Sequence, residues 1–112
     1  MIDIVNEVEK LYPETTAEFK RIQREQYELF CAKQLNYGPS NISLGSTSED
    51  PRDIKLSITG IWFRINDKIN RLKQLVLLNV NDAVNESVHD TFMDLSNYSI
   101  ISIILLNKKW GK

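Results

Sequence analysis

Between Ile54 and Val76, the residues Ile54, Ile58, Ile61, Ile65, Ile69, Leu72 and Val76 recur at spacings of three and four. Only an α-helix gathers such positions onto one face, because its period is 3.6 residues. The alternation at Ile54, Leu56 and Ile58 has the look of a strand, but period two does not continue. A helix over about Asp53 to Leu78 is therefore expected. Gly60 lies inside the pattern, where it costs about 1 kcal/mol relative to Ala. A close helix contact or a ligand would explain it, and so would a tolerated defect.

The rest of the chain reads in the same period. Asp3 caps a first helix carrying Ile4, Val5, Val8, Leu11 and Tyr12, which ends before Pro13. Thr15 or Thr16 starts a second, with Phe19, Ile22, Leu29 and Phe30 as its stripe and Tyr27 at the edge, running to about Leu35. Gly38 and Pro39 stop it. A loop from about Asn36 to Arg52 follows, long enough to be functional, with Tyr37, Ile42 and Leu44 as anchors. A turn over Asn79 to Asn85 leads to a last helix capped by Asp82 or Asn85 and ending near Asn107. Its first buried face is expected at Val88, Phe92, Leu95 and Ser99, with apolar residues nearly all round from Ile100. Trp62, Cys31 and either Phe63 or Tyr98 are expected in the core, His89 on the surface, and Trp110 against the core or a neighbouring chain. The expected fold is all-α: one domain over residues 1–112, a compact bundle of about four helices with one long ordered loop. An apolar helix in so small a domain is central or forms an oligomer interface, so a homo-oligomer is expected.

Composition narrows the chemistry. With 14 basic and 15 acidic residues the formal charge is −1, which argues against a general grip on duplex DNA or membrane lipid. One cysteine and one histidine exclude a disulfide framework and a Cys- or His-rich metal site within one chain. The longest apolar stretch, Ile100 to Leu106, is far short of the roughly 20 residues that cross a bilayer. The acidic start is unlike a signal peptide. A cytoplasmic protein is expected, or one of the host cytoplasm if phage-encoded.

Placed at 100° per residue, Arg64, Lys68 and Arg71 form a basic stripe beside the apolar face of the third helix. On the last helix Glu86, Asp90, Asp94 and Asn97 share a face away from Val88, Phe92 and Leu95. Shielded carboxylates need cations or protons. Either the two stripes pair or lie in water, or the carboxylates hold a hard metal and the basic residues phosphate. A metal-free anion site on the basic stripe is a third possibility. Glu25 and Glu28 share one side of the second helix, facing solvent with Arg21 and Arg24 or adding to a metal site. Lys33, Gln34, Tyr37, Ser40 and Asn41 offer a cation, an aromatic face and polar groups suited to a nucleotide, or equally to a helix-capping loop.

Three blocks carry a resemblance. They are Phe30-Cys31-Ala32-Lys33-Gln34-Leu35-Asn36-Tyr37-Gly38-Pro39-Ser40-Asn41-Ile42, the stretch from Thr59 to Leu72 around Arg64-Ile65-Asn66-Asp67-Lys68, and the stretch from Asn85 to Tyr98 around Asp90-Thr91-Phe92-Met93-Asp94. In this order they resemble the first family of nucleotide modification associated domains, over about Phe19 to Lys112. The resemblance implies a bacteriophage or prophage setting and a nucleotide-like ligand. It draws attention to Lys33, Gln34, Tyr37, Asn41, Arg64, Asp67, Lys68, Arg71, Glu86, Asp90, Asp94 and Asn97, which lie in the matching blocks. A weaker resemblance is to MazG-type all-α nucleoside triphosphate pyrophosphohydrolases. Glu25-x-x-Glu28 fits their first magnesium-binding half, whereas Glu86, Asp90 and Asp94 depart from the second by their spacing of four.

Three functions compete on this reading. In the first, a phage nucleotide-binding protein serves DNA base modification or anti-defence capture of a nucleotide signal. Arg64, Lys68, Arg71 and Lys33 hold phosphate, Tyr37 stacks on the base, and Asn41 or Asn97 reads its edge, with Gln34 beside them. The second is a magnesium-dependent pyrophosphohydrolase using Glu25, Glu28, Glu86, Asp90 and Asp94. The third is a helical interaction module. No residue is assigned a catalytic role.

Overall fold

In the computed structural model, Asp3 accepts a hydrogen bond from the Asn6 amide and opens α1 (Ile4–Leu11). Tyr12 closes it, and Pro13 supplies the first residue of α2 (Pro13–Tyr37). Proline suits that position because the amide it lacks would have no partner inside the helix. The helix thus starts two residues before the expected threonines, and Thr16 bonds back to the Tyr12 carbonyl. Gly38, at φ 69°, ends α2, and a single turn, α3 (Ser40–Ser43), follows. Asp50 accepts from the amides of Arg52 and Asp53 and caps α4 (Pro51–Leu72). A five-residue π-helix, Lys73–Leu77, prolongs α4. Ser87 caps α5 (Val88–Leu106) by accepting from the Asp90 amide.

The structure describes residues 1–83 and 86–112. No strand occurs among them, and the fold is the expected all-α bundle of four principal helices. Asn85, one of the two expected caps of α5, lies outside the described residues. The other, Asp82, pairs with Arg71, and Ser87 takes the capping role.

The core lies where α4 and α5 pack together, covered at one end by α3 and the C-terminal turn. Ile61, Ile101 and Leu105 are buried with Ile42 and Trp110, flanked by Phe30, Ile58, Ile65, Tyr98 and Ile104. Trp110 meets Phe30 edge-on, with ring centroids 6.2 Å apart, and its indole N–H donates to the Pro39 carbonyl at 3.0 Å. Such a pair satisfies the polar handle of a buried indole.

Several expected core residues lie outside. Trp62 and Phe63 are exposed, and so are Cys31, Phe19 and Leu44. Trp62 and Phe63 directly follow the buried Ile61, so helix geometry carries them away from its contact with α5. Phe92 is exposed as well, while Thr91, Met93, Asp94 and Asn97 are buried. The expected faces of the first half of α5 are therefore only partly kept: Asp94 and Asn97 turn inward, Asp90 stays exposed, Val88 and Leu95 are half-buried, and Phe92 faces out. Tyr37 is exposed and does not anchor the loop, a role that falls to Ile42. Gly60 has open space where a Cβ would stand, so no close helix contact explains it.

α1 buries none of its residues, and α2 buries only Gln26. α1 packs chiefly on α2. The radius of gyration is 16.9 Å, against about 13 Å for a compact domain of this length. The molecule measures 46 × 46 × 23 Å, a plate about two helices thick.

Candidate functional site

Where α2, α3, α4 and α5 converge, a cavity of about 530 Å³ opens beside the core. That size suits a small ligand. Its wall combines the C-terminal turns of α2 with the basic stripe of α4, the inward polar stripe of α5, and Trp110. All eight residues expected to bind a nucleotide line it: Lys33, Gln34, Tyr37, Asn41, Arg64, Lys68, Arg71 and Asn97. Residues as much as 64 positions apart in sequence thus share one wall, because α2 lies across the α4–α5 pair.

Cations outnumber carboxylates on this wall. Lys33, Arg64, Lys68 and Arg71 face Asp67 and Asp94. The cations differ in what already holds them. Lys33 reaches Asp94 Oδ1 at 2.9 Å, and Lys68 reaches Asp94 Oδ2 at 3.1 Å and Glu86 Oε1 at 2.7 Å. Arg71 pairs with Glu86 Oε2 at 2.8 Å and Asp82 Oδ1 at 3.0 Å, and also donates to the Glu86 carbonyl. Thr91, fully buried, donates to Glu86 Oε2 at 3.0 Å and fixes it between the two cations. Arg64 differs: it donates to the Asn41 carbonyl at 2.9 Å and forms no ion pair with a described carboxylate.

The network sets its own protonation. Burial works against the Asp94 carboxylate, but hydrogen bonds from Lys33 and Lys68 outweigh it and hold its pKa below the ordinary value. The hydrogen bond from Lys68 does the same for Glu86, with burial opposing and Thr91 and Arg71 assisting. Burial disfavours the Lys68 ammonium, yet Glu86 and Asp94 raise its pKa. Asp94, Glu86 and Lys68 are therefore charged at neutral pH.

The five carboxylates considered as metal ligands are not brought together. Asp94 alone lines the cavity. Glu86 is taken up by Lys68 and Arg71, Glu28 by Arg24, and Glu25 by Arg21 and His89. Asp90 is exposed on the outer side of α5, its amide bonded to Ser87. Among the described residues no group of three or more His, Cys, Asp or Glu side chains is placed to hold a metal. For Glu25, Glu28, Glu86 and Asp94 the physical reason is competition: an arginine one turn away, or a cation across the helix interface, meets the carboxylate first.

The sequence reading missed the apolar end of the cavity. Phe30, Ile42, Tyr98, Ile101 and Trp110 line it, and Asp67 joins the polar side. Trp110 lies beyond the end of α5, and only its isolated aromatic character marked it out.

Residues 54–106, which run from α4 through α5, match the model of the family described as nucleotide modification associated domain 1. The match contains the second and third of the three resembling blocks, and with them Arg64, Lys68, Arg71, Asp94 and Asn97. No curated protein and no solved structure matches the chain. No described helix is long and apolar enough to cross a membrane.

Proposed function

From the match of residues 54–106 to nucleotide modification associated domain 1, we propose that the cavity binds a nucleotide or a nucleotide-derived anion. The observation that carries this reading is Arg64: a guanidinium on the wall of a cation-rich cavity, held by one backbone carbonyl and by no described carboxylate. Arginine offers a planar fork matched to phosphate oxygens. Lys33, Lys68 and Arg71 supply further positive charge, tempered by Asp94 and Glu86. The apolar end at Phe30, Tyr98 and Trp110 suits a base, and Tyr37 at the rim offers it a stacking face. Gln34, Asn41 and Asn97 present amides that discriminate one base edge from another.

Binding of this kind serves either DNA base modification or capture of a nucleotide signal. It is preferred to magnesium-dependent pyrophosphate release because Glu25, Glu28, Glu86 and Asp90 lie off the cavity wall, and most are engaged by cations. Isothermal titration against a panel of mononucleotides and cyclic nucleotides tests the proposal. At least one binds, and Arg64→Ala weakens it by about tenfold to a hundredfold, the value of a charge-assisted hydrogen bond. Absence of binding across the panel at high protein concentration sinks the proposal.

A further inference from the structure

We propose that the chain assembles with a second copy of itself, the α1 arm of each lying on the outer edge of α5 of the other. The first support is area. The chain by itself exposes 8476 Å². A compact monomer of 13.0 kDa exposes about 6,300 Å². The surplus of roughly 2,000 Å² falls within what each chain of an obligate pair covers.

The second support is where apolar surface lies. Ile4, Val5 and Leu11 on α1 and Tyr12 at its end are all exposed, and Phe19 continues the patch on α2. On α5, Ile103 stands opposite the buried Ile101 and Leu105, with exposed Ile100 and Leu106 beside it. Among the described residues nothing covers either patch.

The third support is charge. Residues 3–18 hold five carboxylates against Lys10 alone; Glu9 pairs with Lys20 and Glu18 with Arg21, and Asp3, Glu7 and Glu14 keep the arm acidic. The end of α5 runs into Lys108 and Lys109, both exposed. An acidic apolar arm and a basic apolar edge on one chain complement each other across two copies. A second copy is favoured over a different protein because this chain carries both halves of the match. A two-fold pair satisfies both at once and closes the assembly. The inference stands apart from the ligand reading.

Light scattering on the full chain, during size exclusion at micromolar concentration, gives a mass of two chains or a multiple of it. A strict monomer overturns the proposal. Val5→Glu with Leu11→Glu alters only exposed arm positions, so circular dichroism is kept while association falls by about tenfold or more. Unchanged association in that variant overturns the role of the arm. Should it fail to fold, a charge series at exposed positions still decides: Lys108→Glu with Lys109→Glu weakens assembly, and adding Glu7→Lys with Glu14→Lys restores it. Loss without that restoration overturns the pairing of arm and edge.

Discussion

Gly60 and Gly111 show how differently one residue type can be constrained. A Cβ at Gly60 meets nothing within 4 Å and the backbone there is helical, so Gly60→Ala stabilises by about 1 kcal/mol, read from the midpoint of denaturant unfolding. Gly111 has φ +74° and its Cβ would stand 3.1 Å from Pro39 Cβ, so Gly111→Ala destabilises in the same assay. That close approach accompanies the Trp110 hydrogen bond, and Trp110→Ala costs about 3–5 kcal/mol through lost packing. Asp94→Asn acts on charge with little change of shape. It releases Lys33 and Lys68 from their shared carboxylate and tightens any anionic ligand of the cavity, by titration, while weakening the fold. Among single residues, the caps Asp3 and the cavity-lining polar groups were legible in the sequence. Trp62, Phe63 and Cys31 were not, because an apolar side chain next to a buried one carries no mark of which way its Cβ points.

At the scale of elements, α5 is the instructive case. Its sequence offers two stripes, and hydropathy favours burying Val88, Phe92 and Leu95. The fold leaves Phe92 exposed and Val88 and Leu95 half-buried, and buries Thr91, Asp94 and Asn97, because each finds a partner: Glu86 for Thr91, Lys33 and Lys68 for Asp94, and the Gln26 carbonyl for Asn97. A polar face becomes a buried face once its groups are satisfied; the partners of Asp94 and Asn97 sit on α2 and α4, and that of Thr91 just before α5. Periodicity within α5 alone could not show them. The same contacts make the packing of these helices sensitive to acid. Asp94 and Glu86 have folded-state pKa values below their unfolded ones, so their contribution is present above the ordinary carboxylate range, near pH 4. It is lost as pH falls through the depressed folded values. The stability gap between wild type and Asp94→Asn therefore narrows as urea midpoints are followed from neutral pH to below about pH 4. A gap independent of pH would show that Asp94 acts by shape rather than charge.

For the whole molecule, the order and approximate ends of the four principal helices were readable because periodicity, Asp3, Pro13 and the Gly38–Pro39 stop are local signals, whereas the caps Asp50 and Ser87 and the short α3 were not foreseen. The flattened outline was not, since it depends on α1 and the start of α2 packing on little else in the chain. The convergence of Lys33 from α2 with Arg64, Lys68 and Arg71 from α4 was legible only as a set of residue types suited to one ligand. The crossing of helices that gathers them is a property of the tertiary fold. The same fold also separates the two tryptophans: Trp110 is 5% exposed on the cavity wall, and Trp62 is 58% exposed on the outer side of α4. The chain consequently contains its own optical probe. A dissolved quencher divides the intrinsic fluorescence into a shielded emitter and an accessible one, and a ligand that enters the cavity perturbs the shielded emitter alone.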